Sequence, residues 1–198
     1  MVTAVRTDKS CYVGTPAFIV WLFLVLIFLA SALCVSAQGR LEWSENARLT
    51  VNDFKGPAPD PSSRQSLVLG IGVEINLNVN EVKELPTFND RLSNMFLPDK
   101  SWIDWRDESR LRYAITLFDL NEWMTREMRK QFMENRKQVL AGQQESIAQG
   151  VRLEFARTRQ EYDNESSYGN NAEGQLRWEM RIKERLAALG EYCKACKP

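Results

Sequence analysis

The sequence predicts an α+β fold in which a mostly antiparallel sheet precedes about three helices. Two observations support this prediction: apolar residues alternate with polar ones over residues 67–79, and apolar residues recur at helical spacing from about residue 108. The chain has 198 residues, 44% of them hydrophobic, which is enough for one packed domain. It carries 26 basic and 26 acidic side chains, so no overall field favours binding to nucleic acid.

An uncharged apolar segment covers residues 17–37 and follows a short stretch that contains Arg6 and Lys9. A basic start, a short apolar core and a small-residue ending, here "VSA", are typical of a cleaved export signal. About 20 apolar residues are also long enough to cross a bilayer, so an uncleaved membrane anchor stays an alternative. We expect a signal peptide over residues 1–37, one domain over 38–189 and a short tail over 190–198. In both cases we expect the domain to be exported, periplasmic or secreted, and to meet the membrane only if the signal is uncleaved.

The first part of this domain holds the predicted sheet. A short strand is expected over residues 49–54, and the three prolines of "GPAPDPSS" then exclude both a helix and a strand ladder. Every second residue is apolar over residues 67–79, namely Leu67, Leu69, Ile71, Val73, Ile75, Leu77 and Val79. This pattern predicts one long amphipathic strand with a buried and a solvated face. Gly70 and Gly72 lie on its other face and indicate a bulge or a close approach. The stretch "KSWIDW" is expected to add a short strand, with Trp102 and Trp105 in the core.

Helical periodicity begins near Glu108 and fills most of the remaining chain. One face of the first helix carries Leu111, Ala114, Ile115 and Phe118, and it continues at a spacing of four with Met124, Met128 and Phe132. Two further helices are predicted over residues 143–162 and 172–189, separated by the polar loop "YDNESSYGNN". The basic stretch "REMRKQFMENRK" is expected to form a solvated face, with binding of an acidic partner as the alternative. Trp123 lies off the apolar stripe, so an exposed binding anchor is an alternative to a place in the core.

Four separated stretches resemble, in the same order, the motifs of one bacterial family, the predicted secreted zinc-dependent proteases. These stretches are "LTVNDFKGPAP", "KSWI", "LRYAITLFDLNEWMTREMRK" and "YDNESSYGNNAEGQLRWEMRI", and they span most of residues 41–189. The resemblance implies zincin-like packing of a helix on a sheet. It also implies a zinc site in which two histidines and a glutamate on one helix are joined by a third histidine from a late loop.

The residues at the family's zinc positions differ in this chain. Tyr113 and Leu117 stand where the family's helix has its two histidines, Ala114 replaces the general-base glutamate, and Tyr168 replaces the third histidine. The chain contains no histidine at all. Leucine cannot coordinate zinc, and tyrosine is a poor ligand because its unperturbed pKa is about 10. We therefore expect no zinc and no other cofactor, and we expect Tyr113 and Leu117 to fill the site as core.

Other family positions are retained. They are Phe118, Asp119, Glu122, Tyr162, Asp163, Glu165, Gly169, Gln175 and Trp178. Among them Asp119, Glu122 and Glu165 form a candidate residual polar cluster, and paired carboxylates can support hydrolysis. Near the end of the chain, Cys193 and Cys196 are a candidate local disulfide, with a bond to another chain and a redox role as alternatives.

The sequence thus favours an exported, catalytically inactive protease-like module with a binding or structural role in the cell envelope. Its expected partner is a protein or peptide that adds a strand to the edge of the predicted strand at 67–79. One alternative is a secreted hydrolase that uses carboxylates or a non-standard metal site. Another is a membrane-anchored component of an envelope complex.

Overall fold

The computed structural model describes residues 39–85, 87–104, 106–194 and 196. The predicted export segment at 1–37 and Trp105 lie outside the described residues. Within the described ranges, no helix has the length and apolar character that a bilayer crossing requires.

The β-structure consists of five short strands in two antiparallel sheets. They are β1 (Leu41–Glu42), β2 (Leu67–Val68), β3 (Ile71–Ile75), β4 (Leu92–Phe96) and β5 (Trp102–Ile103). One sheet has the order β1-β4-β3, and β2 pairs with β5 in the other. Strand β4 is the middle strand of the three-stranded sheet. It directs the side chains of Leu92, Asn94 and Phe96, all almost completely buried, toward the helices.

The helices are α1 (Val79–Val82), α2 (Glu108–Glu134), α3 (Arg136–Leu140), α4 (Gln144–Ser166) and α5 (Ala172–Ala188). Helix α2 is central: it packs on β3 and β4 and also contacts α4 and α5. It begins where Asp107 accepts a hydrogen bond from the backbone N–H of Ser109, which satisfies one of the exposed donors of its first turn. The α+β class predicted from the sequence is confirmed, whereas zincin-like packing stays a prediction.

The prediction of one continuous strand over residues 67–79 is wrong. The strand is interrupted between β2 and β3, where a Cβ placed on Gly70 would lie 2.9 Å from the Cβ of Lys100. This is the close approach that a glycine permits. Strand β3 then ends at Ile75, and the side chain of Asn78 caps α1 by accepting a hydrogen bond from the N–H of Asn80. Local capping therefore overrides the alternating pattern.

The strand predicted at 49–54 is wrong as well. Residues Val51–Asp53 form a 3-10 turn instead. The Asp53 carboxylate accepts hydrogen bonds from both the backbone N–H and the hydroxyl of Thr50. This pair is a capping arrangement that favours a turn over an extended chain.

For helix α2, the alternative of an exposed anchor at Trp123 is wrong, and so is the expectation of a solvated basic face. The ring of Trp123 is only 9% exposed and lies under the guanidinium of Arg185, so it is not an exposed anchor. Arg126 and Arg129 are 3% and 1% exposed, so this part of the basic stretch is not a solvated face. Both guanidinium groups find partners inside the protein, on Glu122 and on backbone carbonyl groups.

Candidate functional site

The residues that the resemblance compares with zinc ligands lie together at the N-terminal half of α2, where Tyr113, Ala114 and Leu117 are buried. The rings of Tyr113 and Tyr162 stack with centroids 5.2 Å apart, and the ring of Tyr168 lies 6.4 Å from that of Tyr113. Leu117, one turn along α2, is 1% exposed and belongs to the same apolar core. Ala114 is fully buried beside them. The helix and the late loop thus bring together the positions that the motifs single out.

The chemistry of this cluster does not fit a zinc ion. The hydroxyl of Tyr113 donates a hydrogen bond to Asp163 Oδ1 at 2.5 Å. Burial, and then the carboxylate acceptor, raise the pKa of Tyr113 well above its usual value, so the phenol stays protonated. The hydrocarbon side chain of Leu117 has no lone pair with which to coordinate a metal ion. Across the described residues, no three Cys, Asp or Glu side chains converge in a group that could hold a metal ion.

The loop after α4 is held against α2 at Tyr113. Ser167, Tyr168 and Gly169 have positive φ angles of 48°, 55° and 87°. Arg110 donates hydrogen bonds to the carbonyl of Tyr168 and to Asn170 Oδ1, which keeps the loop in this conformation. A Cβ on Gly169 would lie only 2.8 Å from the Cβ of Tyr113. The loop therefore covers the cluster, and the side chain of Tyr168 remains 56% exposed on the outside.

A buried hydrogen-bond network joins α2, α4 and α5 beneath the cluster. The hydroxyl of Tyr162 donates to Gln175 Oε1 at 2.8 Å. The amide of Gln175 donates in turn to Thr116 Oγ1 and to Glu179 Oε1 at 2.8 and 2.9 Å. Burial of Glu179 would raise its pKa, but hydrogen bonds from Arg112 and Gln175 lower it below its ordinary value. Tyr162 and Gln175 thus link the three helices by hydrogen bonds.

The three carboxylates of the candidate polar cluster are engaged separately. Asp119 accepts hydrogen bonds from Trp43 Nε1 at 2.7 Å and from Arg48. Glu165 accepts one from Trp178 Nε1 at 2.9 Å.

The third member, Glu122, is 2% exposed and pairs with Arg126 and Arg129. Burial raises its pKa, and the two guanidinium groups offset part of that effect. These contacts give each of the three carboxylates a structural role in a different part of the fold.

A groove that the motifs do not indicate runs between α2, α5 and residues 43–48. Its volume is about 690 Å³. Its walls include Ile115 of α2, and Leu176 and Met180 of α5, of which the last two are 51% and 58% exposed. The only signal in the sequence is the presence of these two apolar residues on the outer face of the last predicted helix. Cys196 lines the groove as well, and a disulfide joins it to Cys193.

Among the described residues, no strand pairs with the outer edge of β3. The N–H groups of Leu97 and Asn76 donate to the carbonyls of Gly70 and Arg91 across the β3–β4 pair. Because bonding alternates along an antiparallel pair, the N–H and C=O groups of Ile71, Val73 and Ile75 point away from β4. Within the described ranges, no other backbone or side chain forms a hydrogen bond with those groups. Strand β3 therefore presents unpaired ladder groups to a further strand.

No family model, no curated protein and no solved structure matches this chain. The resemblance to the secreted zinc-dependent proteases therefore rests on the four motifs alone.

Proposed function

We propose that this chain is an exported, catalytically inactive relative of the secreted zinc-dependent proteases that binds an extended peptide in the cell envelope. The observation that carries the binding proposal is the open edge of β3. Its unpaired groups recur on every second residue, Ile71, Val73 and Ile75, which is the spacing that an added antiparallel or parallel strand requires.

The site beneath this edge supports the inactive part of the proposal. Leu67, Leu69 and Ile71, in and around β2 and β3, pack against the cluster that contains Tyr113 and Leu117. In an active relative, a peptide on this edge would pass close to a metal on the helix. In this chain the corresponding space holds side chains that cannot polarise a carbonyl or activate a water. Binding would then be retained without cleavage.

The geometry of the edge also defines what the ligand should be. Main-chain hydrogen bonds supply affinity that is independent of the peptide sequence. The side chains of Val73 and Ile75 point inward onto the core around Met128 and Phe132, so they are not available to the ligand. Gly72, on the opposite face, has open space where a Cβ would be. The ligand is therefore an extended segment of about five residues whose own side chains meet mostly solvent.

The experiment is a selection of binders from a random heptapeptide library, followed by two tests of the binding mode. N-methylation of alternate peptide amides removes donors from one side of the bound strand only. We expect one methylation register to lower affinity at least about tenfold and the other to leave it nearly unchanged. On the protein, Val73→Pro removes an outward N–H and should lower affinity by a similar factor.

The matched control is Glu42→Pro in β1, at the opposite edge of the same sheet. Register with β4 directs the Glu42 N–H outward from that edge, so the same kind of backbone donor is removed, together with the ion pair between Glu42 and Lys194. This variant should retain peptide affinity. Binders that tolerate both methylation registers and the Val73→Pro change would contradict the proposal.

A further inference from the structure

A buried cluster of charges lies beside the disulfide between Cys193 and Cys196. Glu122 Oε1 accepts hydrogen bonds from Arg126 Nε and from Arg129 Nη1, both at 3.0 Å. The three side chains are only 2%, 4% and 1% exposed. Two guanidinium groups thus share one carboxylate, which leaves a surplus positive charge in a place where solvent cannot compensate it.

The donors of Arg129 and most of those of Arg126 are satisfied by oxygen. Arg129 donates to the carbonyls of Leu92 and Tyr192, and Arg126 Nη1 donates to the carbonyl of Leu186 at 2.7 Å.

The exception is Arg126 Nη2, which faces Cys193 Sγ at 3.0 Å and Cys196 Sγ at 3.2 Å. A disulfide sulfur is a weak acceptor, whereas a thiolate would be a charged acceptor that neutralises the surplus cation. The site is therefore better matched to the reduced, ionised cysteines than to the disulfide.

Among the described residues, no acidic group other than Glu122 forms an ion pair with Arg126. Asp119 pairs with Arg48, and Glu42 pairs with Lys194 Nζ at 2.7 Å. In the adjoining groove, Glu179 pairs with Arg112. The groove also carries Glu45 and Lys183, which have opposite charges. Glu191, on the turn before Cys193, is exposed to solvent.

The two sulfur atoms differ in access. Cys193 is 4% exposed, in the core with Trp43 and Phe118. Cys196 is partly exposed and lines the groove of about 690 Å³. An incoming thiol can thus approach Cys196 from the groove, while Cys193 occupies the position of a leaving group held by Arg126.

We propose that Cys193 and Cys196 form a thiol–disulfide exchange site that oxidises cysteine pairs in polypeptides bound in the groove. A substrate thiolate attacks Cys196 Sγ, the Cys193–Cys196 bond breaks, and Cys193 leaves as a thiolate stabilised by Arg126. The second substrate thiolate attacks the substrate sulfur of the mixed disulfide and expels Cys196. The substrate loses two electrons and two protons. The site gains both electrons and one proton, and the second proton goes to solvent.

The walls of the groove indicate the class of substrate. Ile115, Leu176 and Met180 provide an apolar surface in the groove that Cys196 also lines. We therefore expect substrates in which apolar side chains flank the cysteine pair, as in polypeptides that have not yet buried them. This inference is independent of peptide binding at β3, because the two surfaces involve different residues.

The first experiment equilibrates the purified protein with reduced and oxidised glutathione. Arg126→Gln should favour the disulfide at least about tenfold relative to wild type, which corresponds to about 30 mV for a two-electron couple. This substitution leaves Glu122 and Arg129 as a neutral pair, so the fold should persist. The thiol–disulfide equilibrium of Arg126→Lys should lie between those of wild type and Arg126→Gln. The control is Arg152→Gln, which alters only an exposed pair with Glu145 on α4 and should leave the equilibrium unchanged.

The second experiment uses wild-type protein alone and so does not depend on any variant folding. A reduced synthetic peptide with two cysteines flanked by leucines should be oxidised by one equivalent of protein, at least about tenfold faster than a peptide flanked by serines. Alkylation rates should show one protein thiol that ionises below its usual pKa of about 8.5. Equal equilibria in wild type and Arg126→Gln, or a peptide that stays reduced, would overturn the proposal.

Discussion

At the scale of single residues, Gly169 determines whether the late loop can reach α2. Its φ of 87° lies in the left-handed region, and a Cβ would be 2.8 Å from the Cβ of Tyr113 and 3.2 Å from the carbonyl of Ser109. Gly169→Ala should therefore cost both backbone strain and overpacking, together about 2–4 kcal/mol of unfolding free energy. Chemical denaturation measured by the fluorescence of the tryptophans would provide the value.

Two other glycines separate these contributions. Gly142 has a similar φ of 85° but open space around it, so Gly142→Ala should cost only the backbone term, about 1–2 kcal/mol. Gly150, inside α4, has open space and no positive φ, so Gly150→Ala should stabilise the protein by up to about 1 kcal/mol. If Gly169→Ala cost no more than Gly142→Ala, the close packing of the loop on Tyr113 would be contradicted.

Sequence reasoning identified some residues of the candidate site and missed others for physical reasons. Tyr113 and Tyr168 were expected at one site because of the motif resemblance, and their rings lie 6.4 Å apart. The burial of Arg126 could not be predicted, because its hydrogen-bond partners other than Glu122 come from the far end of the chain. They are the carbonyl of Leu186 and the sulfur atoms of Cys193 and Cys196. The contacts of a charged side chain with residues distant in sequence form only in the folded protein, so its own sequence neighbourhood does not predict them.

At the scale of elements, the long helices were predictable and the sheet was much less so. Helices predicted at 143–162 and 172–189 are observed as Gln144–Ser166 and Ala172–Ala188, because their periodicity is local. Strand β4 gave no comparable pattern, since buried Asn94 interrupts its apolar face. That side chain donates to the carbonyl of Phe118 and accepts from Asn121, both on α2. A buried polar contact between elements thus hides a strand from pattern analysis.

The start of helix α5 provides a prediction at this scale. The Asn171 side chain accepts a hydrogen bond from the N–H of Gly174 and donates one to the carbonyl of Glu165. Asn171→Ala should cost about 1 kcal/mol of unfolding free energy, because it removes the cap that begins α5. Gln143, at the start of α4, makes no capping bond, so Gln143→Ala is the matched control and should change stability little. Equal losses in the two variants would show that the cap is not responsible.

The juxtaposition of α2 with the late loop allows the resemblance itself to be tested. A variant with Tyr113→His, Ala114→Glu, Leu117→His and Tyr168→His replaces the four differing positions by the family's residues. Two histidines four apart on one helix and a third from the loop would form a three-ligand zinc site. We expect one zinc per chain by metal analysis after dialysis. The same variant with Tyr168 retained should hold zinc at least about tenfold more weakly, and no uptake in the full variant would contradict the proposed relationship.

At the scale of the whole molecule, the C-terminal segment is tied to the fold by long-range contacts. Asn89 donates a hydrogen bond to the carbonyl of Glu191, and Lys194 donates one to Ser93 Oγ. Cys193 packs in the same core as Trp43. The sequence indicated only a short tail here, since the partners lie about 100 residues away in the chain. The C-terminal segment therefore contacts β4, Trp43 and the buried Arg126.

Two stacked tyrosines in the core make the stability of the whole domain sensitive to alkaline pH. Burial raises the pKa values of both Tyr113 and Tyr162 above the value of about 10 in an unfolded chain. Below pH 10 both states hold these protons, and the tyrosines add no pH dependence. Above pH 10 the unfolded chain releases them while the folded protein keeps them, so stability should fall as pH rises. Each tyrosine contributes a slope of up to about 1.4 kcal/mol per pH unit.

Urea denaturation at several pH values between 8 and 11 would measure this slope. Tyr113→Phe removes one of the two groups, so its unfolding free energy should fall about half as steeply above pH 10. The double variant Tyr113→Phe, Tyr162→Phe should lose most of the remaining dependence, although it is less stable at neutral pH because Tyr162 no longer donates to Gln175. If Tyr113→Phe and wild type had the same slope, the hydroxyl of Tyr113 would be open to solvent. The space around Tyr113, which the resemblance compares with a zinc site, would then be accessible rather than filled.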